Sequence, residues 1–123
     1  MKVILAEGSE TRVSSPAELD SIVSNLEVSS SPIFTVEHND SQATVGLSSA
    51  GWFIQVAPLS GDPPYFVTVG NPSATGVATF FLHGVHHTEI PRRNLISSDA
   101  ARQVLSEFAL SGSRSTMVSW EEV

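Results

Sequence analysis

The chain of 123 residues has no cysteine. Without a thiol there is no disulfide, no thiolate metal ligand and no cysteine nucleophile. Charge is also scarce, at 15% of residues, so the polar surface must lean on serine, threonine, asparagine and glutamine. Cations are fewest of all. Six Lys and Arg stand against thirteen Asp and Glu, a formal net charge of −7. Nucleic acid as a partner is therefore disfavoured, because that role needs a basic stripe to displace counterions. The acidity suits either plain solubility or a basic protein partner met through complementary potentials. No apolar run approaches membrane-spanning length, and Met1 to Ala6 is too short for a signal-peptide core. The expectation is a soluble, cytoplasmic protein with no membrane partner. A glycine-rich phosphate loop is missing, and Ser60-Gly61 and Ser111-Gly112 lack the strand-to-helix elbow of serine hydrolases.

What is present fits one domain spanning 1–123, with a hydrophobic fraction of 41% to supply its core. Val3 to Ala6 reads as a first strand, with a possible return at Thr11 to Val13. Ser15, Pro16 and Glu18 form an N-cap, a first-turn proline and a capping box. Leu19, Ile22, Val23 and Leu26 then recur at helical spacing. Ile33 to His38 and the alternating Ala43, Val45 and Leu47 flank Asn39-Asp40 as a hairpin. Trp52 to Ala57 and Tyr65 to Val69 are further strands, separated by a loop holding Gly61-Asp62 and Pro63-Pro64. Val77 to Leu82 is expected to cross the sheet as one strand, running on toward His87 and stopped by Pro91. Ser97 or Ser98 caps a second helix with the stripe Ala101, Val104, Leu105 and Phe108, closed by Gly112. Met117 to Glu121 is the last strand. The fold class is α+β: a mainly antiparallel, twisted sheet of six to seven strands with both helices on one face.

Few side chains suggest chemistry. His83, His86 and His87 invite a zinc or acid–base reading, with a small hydrolase or isomerase as the functional alternative. On an extended strand His83 and His87 share one face and His86 takes the other, whereas a metal needs three or four converging ligands. Glu121 and Glu122 are adjacent, so on a strand they face opposite ways and cannot flank one bond. Glu37, Asp40, Asp62 and Glu89 lie near strand ends. Arg92-Arg93 is a cationic spot suited to salt bridging within the fold, Glu89 being one candidate, or to a partner's carboxylates. Trp52 and Trp120 read as packing residues. An exposed strand edge could instead make the protein a homo-oligomeric module.

The order of three segments resembles one family. These are Pro63-Pro64-Tyr65 entering Phe66 to Gly70, the connection Pro91-Arg92-Arg93-Asn94-Leu95-Ile96, and the tail from Gly112 to Trp120-Glu121-Glu122-Val123. They are similar to immunity proteins encoded beside bacterial polymorphic toxins, especially deaminase-domain toxins. Ser115 stands where such tails often carry proline. The resemblance implies a non-enzymatic immunity protein with no metal or cofactor of its own. Its partner would be a cognate toxin domain, basic and deaminase-like, whose active site or substrate surface it covers. The expected contact residues are Asp40, Asp62, Tyr65, Arg92, Arg93, Glu121 and Glu122, at loops and strand ends. Trp120, the family's recurrent tryptophan, is assigned to the fold.

Overall fold

The computed structural model describes residues 1–82 and 86–123. Among these residues nine strands and two α-helices follow one another: β1 (Lys2–Ile4), β2 (Glu10–Arg12), α1 (Pro16–Ser24), β3 (Ile33–His38), β4 (Ser41–Gly46), β5 (Phe53–Pro58), β6 (Phe66–Val69), β7 (Val77–Leu82), β8 (His86–Pro91), α2 (Ser98–Ser111) and β9 (Ser119–Glu122). Seven of them form one antiparallel sheet in the order β2-β1-β3-β4-β5-β6-β9. At the β2 edge, Lys2 joins three strands. Its ammonium lies 3.0 Å from Glu10 and 3.4 Å from Glu37.

The helices begin and end for local reasons. Ser15 accepts from the Glu18 amide at 3.2 Å, and Pro16 opens α1. The Glu18 carboxylate reaches back to Ser14, at 2.7 Å from its hydroxyl and 3.3 Å from its amide. A reciprocal capping box would have returned it to Ser15; the longer reach fixes the preceding residue instead. Ser97 is the cap of α2, and Gly112 ends it at φ 72°, where a β-carbon is unfavourable. Arg102 ties α2 to Asp20 of α1 at 2.6 Å and lies over the Trp52 ring at 5.3 Å.

Both helical stripes pack on the same face of the large sheet. Leu19 and Val23 meet Ala101, Val104, Leu105 and Phe108 over Val3, Phe34, Val36, Val45, Ile54 and Val56. The opposite face is also covered. β7 and β8 do not join the large sheet as one crossing strand; they pair with each other as a separate two-stranded sheet. Ala78 and Phe80 from β7 bury against Ile33, Phe53 and Val67, with Ile90 and Leu95 alongside. Gly46 makes room there, since a β-carbon on it would sit 2.2 Å from the Phe53 ring. β5 is therefore sandwiched, with Phe53 turned to the hairpin and Ile54 to the helices. Three layers result: helices, seven-stranded sheet, two-stranded hairpin.

Candidate functional site

The seven expected contact residues fall into two groups at opposite ends of β6. The first surrounds Phe66. The β3–β4 turn brings Asp40, whose carbonyl accepts from the Leu59 amide at 2.8 Å. That bond ties the turn to the loop of residues 58–65, which carries Asp62 and Tyr65. The Tyr65 hydroxyl donates to the Gly61 carbonyl and closes the loop on itself. The Val123 amide donates to the Tyr65 carbonyl at 2.9 Å, and Glu122 is paired with Phe66. Asp40, Asp62 and Glu122 are all exposed, and none has an ion-pair partner among the described residues.

Arg114 organises this end. Its guanidinium lies 3.7 Å from the Phe66 ring centroid and 6.0 Å from that of Trp120. On one side an open groove of about 620 Å³ is lined by Ser41, Val56, Thr116, Val118 and Trp120. On the other a shallower one of about 220 Å³ meets Asp40, Pro58, Pro64 and Phe66. Ser41, Val56 and Arg114 belong to both. The sequence suggested nothing for Arg114. Its role depends on two rings 48 and 6 positions away in the chain, a juxtaposition that no local pattern carries.

The second group sits where a 3-10 turn, Arg92–Asn94, presses on the far end of β6. Asn94 is buried, and its amide donates to the Thr68 carbonyl at 3.0 Å and to Glu121 at 2.8 Å. The Thr68 hydroxyl donates to the Asn94 carbonyl at 2.9 Å and accepts the Ile54 amide at 3.2 Å. The hydroxyl thus takes a donor from β5 where the β5–β6 register has ended. Arg93 completes the network with an ion pair to Glu121 at 3.1 Å. The cation bridges to the last strand rather than to Glu89. Both arginines are exposed, but among the described residues only Arg93 has an ion-pair partner.

The Asn94 hydrogen bond, together with Arg93, holds the Glu121 carboxyl below the usual carboxylate range, against partial desolvation pushing the other way. A depressed carboxylate pKa stabilises the fold above the unfolded value, and that contribution vanishes as pH falls through the folded value. Denaturant melts of wild type and Glu121→Gln should therefore differ most near neutral pH. The gap should close below about pH 4. A gap that widened on acidification would contradict the network.

His86 and His87 are neighbours on β8, opposite Leu82 and Phe81, so their side chains alternate between faces. His83 lies outside the described residues. Among the described residues, no histidine lines either groove beside Arg114. Among the described residues, no three His, Asp or Glu side chains converge as a metal site. No helix among them is long and apolar enough to cross a membrane.

Two comparisons bear on this geometry. No curated protein matches the chain. A family profile described as "Immunity protein Imm1" matches residues 7–122, from the β1–β2 turn to the end of β9.

Proposed function

The chain belongs to the Imm1 family of immunity proteins, and from that membership we propose how it neutralises its toxin. The toxin is a secreted polymorphic toxin domain with nucleic-acid deaminase chemistry, and this protein covers its active site or substrate-binding surface. A deaminase of this kind uses a zinc-bound water to attack a base taken out of its stack. The zinc and the chemistry are the toxin's; this chain supplies a surface. A nucleic-acid-acting enzyme must be basic where its substrate lies. What supports the reading is three exposed acids at the Phe66 end, Asp40, Asp62 and Glu122, none with an ion-pair partner among the described residues. Long-range attraction would steer the toxin's basic cleft onto this end, and occlusion follows from docking. Arg92 is the cation of the second group with no ion-pair partner among the described residues, and a contact for a toxin carboxylate. Arg93 and Glu121 act by holding the tail that presents Glu122. The protein works in the cytoplasm, where the toxin arrives.

The test uses the toxin domain encoded beside this gene. Stoichiometric binding with loss of deamination on single- or double-stranded nucleic acid is expected. Asp40→Lys with Asp62→Lys should slow association by about tenfold at low salt, and less at high salt. Binding that leaves deamination intact would sink the occlusion mechanism. An unchanged association rate would remove the two acids from the contact.

A further inference from the structure

β9 is an edge strand, and β6 uses only one side of it. Tyr65 and Val123 are a hydrogen-bonded pair in that ladder, through the Val123 amide at 2.9 Å. In an antiparallel pair, hydrogen-bonded and non-bonded positions alternate. In the register Phe66 to Glu122, Val67 to Glu121 and Thr68 to Trp120, Glu121 therefore bonds toward β6. The N–H and C=O groups of Trp120 and Glu122 point away from it. Among the described residues no strand pairs with them.

This edge is held ready in its extended form. The Trp120 indole donates to the Ser115 carbonyl at 2.8 Å. Glu121 is fixed on the other face by Asn94 and Arg93. Ordering costs that usually weaken strand addition are therefore already met. The opposite edge is poorer. β2 has three residues, and its Glu10 is already engaged by Lys2. Self-association through β9 in the registers centred on Glu121 or Glu122 is opposed by charge, because each sets like charges opposite.

We propose that β9 accepts an extended segment of the toxin domain as an eighth strand of the large sheet. A Lys or Arg of that segment stands opposite Glu122, which has no ion-pair partner among the described residues. The main chain supplies the outward pair of donors and acceptors, and the single acidic position selects for a basic strand. The inference rests on the toxin-neutralising reading and specifies its geometry.

Hydrogen exchange on the full chain, free and with the neighbouring toxin domain, tests it. The Trp120 and Glu122 amides should exchange quickly in the free protein and slowly in the complex. Glu122→Pro removes an outward N–H while sparing the bonds to β6, and should weaken binding by about tenfold or more. Glu122→Gln keeps the N–H and should mainly slow association. A complex in which those two amides exchange as fast as in the free protein overturns the added strand and leaves neutralisation standing. So does a folded Glu122→Pro protein that binds as tightly as wild type. If Glu122→Pro fails to fold, the exchange result on wild type decides. No complex at micromolar concentrations overturns both readings. Protection of the same amides in a toxin-free dimer would show that a second copy is the true occupant.

Discussion

Truncating Phe80 to alanine is expected to remove about 3–5 kcal/mol of stability. Its side chain is fully buried and meets the Phe53 ring edge-to-face, with centroids 4.9 Å apart. The core beneath the hairpin is small: Phe80 shares it with Ile33, Phe53, Val67 and Ala78. Few neighbours can close on the resulting cavity, so the transfer loss and the cavity loss add. The ring also covers Gly46, whose missing side chain leaves no other filler. The damage should be local in character. Exchange at residues 86–91 should accelerate first, while amides of α1 and α2 stay protected until global unfolding. Urea melts and hydrogen exchange together check this. A loss under about 1 kcal/mol would mean that the hairpin is held chiefly by something other than this core.

The second large effect belongs to Gly70→Ala. A β-carbon there would lie 1.9 Å from the Leu95 carbonyl oxygen and 3.0 Å from its carbon. Both are backbone atoms, so no side chain can swing aside. The Gly70 amide donates to the Arg93 carbonyl at 2.8 Å, which ties the same two segments together. Any shift that relieves the clash pulls the 3-10 turn away from β6 and strains the bonds of Asn94 to Thr68 and Glu121. We expect a cost of about 3 kcal/mol or more, at the upper end for overpacking. Gly61→Ala is the informative contrast. Its φ is +86°, yet nothing lies within 4 Å of the added carbon. It should lose about 1–2 kcal/mol from conformation alone. Thermal melts of the two variants separate close approach from backbone freedom; equal losses would contradict the distinction.

Much of this fold could be read from short-range patterns. Ser15, Ser97 and Gly112 mark helix ends because capping is decided within four residues. The two apolar stripes predict burial on a sheet because helical periodicity places them on one side. The alternation in β3 and β4 likewise predicts their hairpin. β7 and β8 were harder. Ala78 and Phe80 alternate as they would in any half-buried strand, and Leu82 and His86 are not separated by an Asn-Gly or Asp-Gly signal. One strand and two strands therefore look alike in sequence. The consecutive apolar pair Phe53-Ile54 is the trace of the third layer, since it requires cover on both faces. Which charged side chains become neighbours is not legible in the sequence. Arg93 and Glu121 lie 28 positions apart, and only the register of β6 with β9 brings them together.

The proposed division of labour between the two ends of β6 has an evolutionary consequence. Residues 59–64 are all exposed, and so is Asp40; none belongs to either buried cluster. Substitutions there leave both cores and the Asn94 network untouched. An immunity protein must follow a toxin that changes, and each intermediate on that path must still fold. On the contact surface proposed at the Phe66 end, recognition can drift at little cost to stability everywhere but Gly61, whose φ of +86° disfavours a side chain. Arg93, Asn94 and Glu121 have no such freedom: a change at one orphans the others, so lineages should alter them together or not at all.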